Sequence, residues 1–237
     1  MEEKNKKIKD ENVDVAKQTE IVVVLDRSGS MAGISKSTVD GFNSFLNEQQ
    51  NAEGEAFMTL VQFDDRYEID YKSVPVKDVN PLIDGETFKP RGMTALLDAI
   101  GKTINELETD RDVVFVIITD GDENSSREYK RDAIMNMIKT LEDEKGWYFL
   151  FLGANQDAIA AGGNMGITGN KSFTYSADDA GTAGAFASFS SNISNYRSAK
   201  MHYSAMNMDK NISLNDLQDL KMNLDFSEDQ RKEQDKK

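Results

Sequence analysis

Residues 20–31 read Glu20-Ile21-Val22-Val23-Val24-Leu25-Asp26-Arg27-Ser28-Gly29-Ser30-Met31, and this stretch decides the fold. Ile21 to Leu25 is an unbroken apolar run, mostly β-branched, with no polar face. A strand of that kind belongs inside a parallel sheet covered on both sides. The run stops at a carboxylate, Asp26. Two serines follow at the second and fourth positions after it, with Gly29 between them to permit a tight turn.

Working outward, five more strand candidates appear. They are Phe57 to Phe63, Tyr67 to Val74, Val113 to Ile118, Trp147 to Leu152 and, more weakly, Lys171 to Tyr175. Tyr67 to Val74 alternates and reads as a half-exposed strand near an edge. Helical spacing fills the gaps: Val39, Phe42, Phe45 and Leu46; then Leu96, Ile100, Ile104 and Leu107; then Ile134, Met137, Ile138 and Leu141. Segments 155–163 and 178–194 are weaker, Ala- and Gly-rich helix candidates. Strands alternating with helices predict an α/β, Rossmann-like, doubly wound fold, with a mainly parallel six-stranded sheet and helices on both faces. Ligand sites in such folds lie at the carboxyl ends of the strands.

The predicted organisation is a charged lead-in over 1–18, a domain over 19–204, and a polar tail over 205–237. The lead-in carries five acidic and five basic residues, and the tail eight and six. Leu214, Leu217, Leu220 and Leu224 form a helical stripe in the tail, and Ser213 with Asp216 resembles a helix start. The simpler expectation is a packing helix followed by a solvated end, Glu228 to Lys237; a partner-binding helix is the alternative.

Composition narrows the function. Of 237 residues 38% are hydrophobic, about 45% with the 16 glycines included, which is ordinary for a globular chain. There is no cysteine, which excludes disulfides, thiolate metal sites and a cysteine nucleophile. A single histidine, His202, excludes a multi-histidine zinc site within one chain. The net charge of −14 disfavours nucleic acid and favours a cationic ligand or partner. The longest apolar run, Val113 to Ile118, falls far short of the roughly 20 residues of a membrane span. The N-terminus lacks the apolar core of a signal peptide. A soluble cytoplasmic protein without membrane contact is the expectation.

Chemistry concentrates at three places. Asp26, Ser28 and Ser30 follow the first strand. Read alone, they serve equally well as caps for the next helix. Gly92-Met93-Thr94-Ala95-Leu96 opens a helix, with Thr94 at or near its N-cap. Thr119-Asp120-Gly121-Asp122 ends the fourth strand. Acids and hydroxyls thus meet at one sheet edge. Oxygen-only donors suit a hard cation such as Mg²⁺ or Ca²⁺ and disfavour zinc.

The order Asp-x-Ser-x-Ser, Gly-x-Thr-Ala-Leu, Thr-Asp-Gly closely resembles the von Willebrand factor A family over roughly residues 19–200. Asp26, Ser28, Ser30, Thr94 and Asp120 match the five positions of its metal-ion-dependent adhesion site. The flavour of the motifs is that of intracellular bacterial or phage members rather than integrin inserted domains. The resemblance implies that Ser28 and Ser30 bind the metal directly, and Thr94 directly or through water. Asp26 and Asp120 would act through bound waters and hydrogen bonds. The implied cofactor is Mg²⁺, or Mn²⁺ or Ca²⁺. The implied function is non-enzymatic: a protein partner presents an Asp or Glu to the metal. Intracellular bacterial members often work beside AAA+ ATPases, which makes such a system a candidate partner. The alternatives are a metal-assisted hydrolase of phosphate esters and a structural or assembly protein. No histidine or lysine base lies in the motifs, which counts against the hydrolase.

Other residues carry simpler expectations. Asp64, Asp65, Asp122 and Glu123 should raise the negative potential at the same rim, with a second metal site as the alternative. Asp157 should cap a helix. His202 should lie on the surface or in packing, and Trp147 and the methionines should be core. Gly166 to Ser172 faintly resembles a phosphate loop, but Asn170 stands where that motif needs glycine, and the segment precedes a strand.

Overall fold

The computed structural model describes residues 18–155, 157–206 and 214–234. The lead-in therefore lies outside the described residues, apart from Gln18, as does Ser213. The strands are β1 (Thr19–Asp26), β2 (Ala56–Phe63), β3 (Tyr67–Pro75), β4 (Asp112–Thr119), β5 (Tyr148–Ala154) and β6 (Ser172–Tyr175). The helices are α1 (Ser35–Asn51), α2 (Leu96–Glu106), α3 (Arg131–Lys145), α4 (Ala158–Gly163), α5 (Asp179–Met206), α6 (Leu214–Lys221) and α7 (Glu228–Gln234). The sheet order is β3-β2-β1-β4-β5-β6. The β2–β3 pair is antiparallel and the other four are parallel, and β3 and β6 form the two edges.

Every residue of β1 and β4 is buried, as their continuous apolar runs require. The pleat splits their side chains between two cores. Ile21, Val23, Leu25, Val114, Val116 and Ile118 face α1 and α5, while Val22, Val24, Val113, Phe115 and Ile117 face α2 and α3. The ring centroids of Phe45 and Phe189 stand 4.7 Å apart where α1 meets α5. Gly41 permits this approach, because a Cβ there would fall 2.5 Å from Phe186 Cδ2. α3 ends at Gly146, whose φ of 66° only glycine adopts at no cost.

The helix expected over 178–194 is longer, running from 179 to 206, so the domain boundary drawn at 204 falls inside it. The described part of the tail packs on the sheet. Leu224 and Phe226 are buried in the α1–α5 core, and Leu220 packs against it. The Phe226 ring lies 4.7 Å from Phe173 of the edge strand, and its N–H donates to Asn170 O. Of the stretch expected to be solvated, Glu228 to Gln234 is helical. Met31, Met58 and Met165 are core, but Met93, Met135, Met206 and Met222 are exposed, which corrects the reading of all methionines as core.

At the amino end of β4, buried Asp112 meets two buried lysines. Lys200 Nζ of α5 lies 2.9 Å from its carboxylate; Lys221 Nζ of α6 and the Tyr196 hydroxyl also bond to it. Burial opposes ionisation of Asp112, but Lys221 and Lys200 outweigh it and hold the carboxyl well below the usual range. Removing one partner of a buried ion cluster leaves the others uncompensated, at a cost of roughly 3–5 kcal/mol. Asp112→Ala should lower unfolding stability by about that amount in urea. A loss below about 1 kcal/mol would mean that the tail is not anchored there.

Candidate metal centre

The upper edge of the sheet is built where β1 and β4 end side by side. Asp26 has no exposed surface. Its Oδ1 accepts the Ser28 N–H at 2.6 Å, and its Oδ2 accepts the Thr119 hydroxyl at 2.6 Å. The first bond turns the chain sharply after β1; the second ties β1 to β4. The turn brings Ser28 Oγ and Ser30 Oγ to 3.0 Å. Ser30 donates its proton to Asp120 Oδ1 at 2.6 Å, so Ser28 is the donor in the serine pair. Ser28 stands at the N-cap position of the 3-10 turn Gly29–Ile34, but its side chain makes no capping hydrogen bond, and Ile34 is the N-cap of α1.

Thr94 comes from another segment, one residue before the N-cap of α2, and is buried. Its N–H donates to Asn124 Oδ1 at 2.9 Å, and its carbonyl accepts the N–H groups of Asn124 and Ser125. A Cβ at Gly121 would stand 2.9 Å from Thr94 Oγ1, 3.3 Å from Ser30 Oγ and 3.7 Å from Asp26 Oδ2. Three oxygens from two segments therefore converge beside Gly121 of a third, and Ser28 and Asp120 join them through the hydrogen bonds to Ser30. Among the described residues, no group of three or more His, Cys, Asp or Glu side chains is placed to hold a metal. Any cation here rests on two carboxylates and three hydroxyls, a donor set that fits Mg²⁺, Mn²⁺ or Ca²⁺.

Burial raises the Asp26 pKa to about 6, against the hydrogen bonds from Thr119 and Ser28, with Asp120 adding to the rise. Burial also raises Asp120, opposed by Ser30. Among the described residues neither acid forms an ion pair with a protein cation, and a bound divalent ion would supply that charge.

Two of the four expected rim acids have other duties. Asp64 is fully buried and pairs with Arg27 and Arg91. Glu123 accepts the N–H groups of Leu97, Ser125 and Ser126, so it holds the start of α2 and the loop after β4. Only Asp65 and Asp122 are exposed. Asp157 caps α4 by accepting Ala160 N–H at 3.0 Å, as expected. His202 is exposed on α5. In the segment 166–172, Lys171 pairs with Glu142 at 2.7 Å and is not free for a phosphate. Sequence reasoning gave no role to Thr119 and Asn124, although both sit within four residues of Asp120.

Comparison with known proteins agrees with this fold. The family model described as von Willebrand factor type A domain matches residues 20–188. Curated proteins contain no match. Among solved structures, proximal thread matrix protein 1 from the mussel byssus, with a zinc-occupied metal-ion-dependent adhesion site motif, superposes with a TM-score of 0.55 at 16% identity, covering 79% of this chain and 47% of that one. A von Willebrand factor type A protein from Catenulispora acidiphila gives 0.54 at 13% identity, covering 76% and 43%. The ArnB paralog VWA2 from Sulfolobus acidocaldarius gives 0.52 at 16%, covering 76% and 46%. The chain thus spans less than half the length of each. At these identities the likeness is one of fold.

The Asp26 pKa carries a sign that can be checked in metal-free protein. Its folded value of about 6 exceeds the ordinary 3.8, so the folded state holds the proton more tightly. Its contribution to stability therefore improves as pH falls through 6 and levels off near 4. Two pH units correspond to about 3 kcal/mol. With EDTA present, Asp26→Asn should be more stable than wild type at pH 7, and the advantage should shrink by pH 4.5. Urea midpoints that keep the same difference at both pH values would contradict this.

Proposed function

The chain belongs to the von Willebrand factor type A domain family, and from that premise we propose that it is a non-enzymatic binding module. Asp26, Ser28, Ser30, Thr94 and Asp120 would hold a divalent cation, Mg²⁺ or else Mn²⁺ or Ca²⁺, and a protein partner would dock there through an Asp or Glu. The observation that carries this reading is the convergence of Thr94 Oγ1, Ser30 Oγ and Asp26 Oδ2 around Gly121.

The residues divide the work. Ser28 and Ser30 commit their protons to Ser30 and Asp120, which leaves oxygen lone pairs as neutral donors. Thr94 adds a third hydroxyl. Asp26 and Asp120 supply negative charge and fix the hydroxyls in place. A set with so few carboxylates leaves net positive charge on a bound ion, and that charge is what attracts an acidic partner. Among the described residues, no histidine or lysine is hydrogen-bonded to any of the five. No described helix is long and apolar enough to cross a membrane. An AAA+ ATPase system remains the partner class suggested by the family resemblance.

Calorimetry should show Mn²⁺ or Mg²⁺ binding that weakens in Asp120→Ala by roughly 10–100-fold or to below detection, as the loss of an outer partner of a metal site costs. Unchanged affinity there would sink the assignment. Partner capture should vanish in EDTA and weaken in Thr94→Ala; equal recovery in both would move docking to another surface. Turnover of ATP, phosphate monoesters or peptides that disappears in Ser28→Ala would favour the hydrolase instead.

A further inference from the structure

The three motifs leave out a fourth segment that the fold brings to the same junction. This is the turn between β2 and β3, residues 64–66. Asp64 Oδ2 lies 2.7 Å from Arg91 Nε and 3.4 Å from Arg27 Nε. Glu68 Oε1 lies 2.7 Å from Arg27 Nη2 and 2.5 Å from Arg91 Nη2. Both arginines therefore straddle the same two carboxylates. The Arg27 contacts are ionic rather than well-aligned hydrogen bonds, and Arg27 is itself buried. Arg27, and to a lesser extent Arg91, lowers the Glu68 pKa against the effect of burial.

The arginines sit at telling places. Arg27 stands between Asp26 and Ser28, and Arg91 stands three residues before Thr94. The backbone ties the same pieces together. Arg27 N–H donates to Phe63 O at 2.8 Å, Arg91 N–H to Arg27 O at 2.8 Å, and Gly29 N–H to Gly92 O at 3.1 Å. Ala95 N–H donates to Asp64 O at 3.0 Å. Gly92 has φ 69°, and a Cβ there would fall 2.1 Å from Asp65 Oδ1, so the loop before Thr94 lies directly on the β2–β3 turn.

We propose that Asp64, supported by Glu68, is a positioning residue of the candidate metal centre. It fixes the loop of Thr94 against the loop of Asp26, Ser28 and Ser30 by holding Arg91 and Arg27 on one carboxylate. A buried ion network is a poor source of net stability, since an apolar replacement often serves as well. This one cross-links two loops that bring hydroxyls from different segments to one point, where a small misplacement would spoil the donor set. Asn124 holds Thr94 from the other side, so loss of Asp64 loosens the site without emptying it of donors.

The inference rests on the metal-binding reading, and the test separates the two. Mn²⁺ is titrated by calorimetry into the full chain and into Asp64→Asn, Arg91→Gln, Arg91→Lys, Thr94→Ala, Asp26→Ala and the double variant Asp64→Asn with Thr94→Ala. Asp64→Asn should bind about 10-fold more weakly, the low end of what outer partners of a metal site cost. In the Thr94→Ala background the same change should cost less than about 2-fold, because there is no longer a Thr94 hydroxyl to position. Arg91→Lys should recover part of what Arg91→Gln loses. In metal-free protein, Asp64→Asn should speed amide exchange at Gly29, Arg91 and Ala95. A folded Asp64→Asn with wild-type affinity overturns the proposal. So does an equal cost with and without Thr94, the mark of a merely structural role. If Asp64→Asn does not fold, Arg91→Gln decides by the same criterion, since the Arg91 side chain is 39% exposed and easier to replace. If Asp26→Ala binds Mn²⁺ as wild type does, the metal reading fails and takes this inference with it. If Asp26→Ala loses binding while Asp64→Asn and Arg91→Gln keep it, only the positioning role fails.

Discussion

Asp26 has no exposed surface, and neither has most of the strand it ends. A carboxylate placed there must be satisfied where it stands, because solvent does not reach it. Two groups meet the need: the Ser28 N–H, which forces the turn, and the Thr119 hydroxyl, which belongs to the neighbouring strand. The turn then sets the two serines, and the link to β4 sets Asp120 beside them. The arrangement of the upper edge follows from burying that one group at the centre of a parallel sheet.

The two ends of the sheet treat buried charge in opposite ways. At the lower end, Asp112 is closed off by Lys200, Lys221 and the Tyr196 hydroxyl, and its carboxyl is held well down. At the upper end, burial pushes Asp26 and Asp120 up, and their hydrogen bonds come from hydroxyls and a backbone N–H. Arginines are nearby in sequence, but Arg27 and Arg91 are directed to Asp64 and Glu68 instead. Protein cations close off the structural acid, and among the described residues none pairs with the two acids at the sheet edge. That contrast suits a site meant for an external cation.

The fold itself is shared with proteins of other settings, from a mussel byssus matrix protein to a Sulfolobus paralog, at identities of 16%. A fold at that distance says little of activity. The functional argument therefore lives in the oxygens around Gly121 and in the loops that hold them.

Most of the fold was legible in the chain, because buried parallel strands and amphipathic helices leave different periods in sequence. Ile21 to Leu25 and Val113 to Ile118 are short, apolar and rich in β-branched residues, as a strand with both faces covered requires, and Phe42, Phe45 and Leu46 fall on one helix face. The candidate site was legible too, since Asp26, Ser28, Ser30, Thr94 and Asp120 each follow a strand or open a helix. Several features were not legible. α5 is rich in small residues and weakly amphipathic, so its apolar face emerges only in packing against α1. The leucine stripe of the tail predicts a packing helix, but the partners of Lys221 and Phe226, Asp112 and Phe173, lie far away in the chain and leave no local signal. Asp64 and Glu123 look in sequence like free rim charges. The tertiary structure turns one into a counter-ion for two arginines and the other into an acceptor for backbone N–H groups. Local pattern records which face of an element is apolar. Which partner a polar side chain finds is decided only when distant segments meet, because a buried charge takes whatever donors the fold brings within reach.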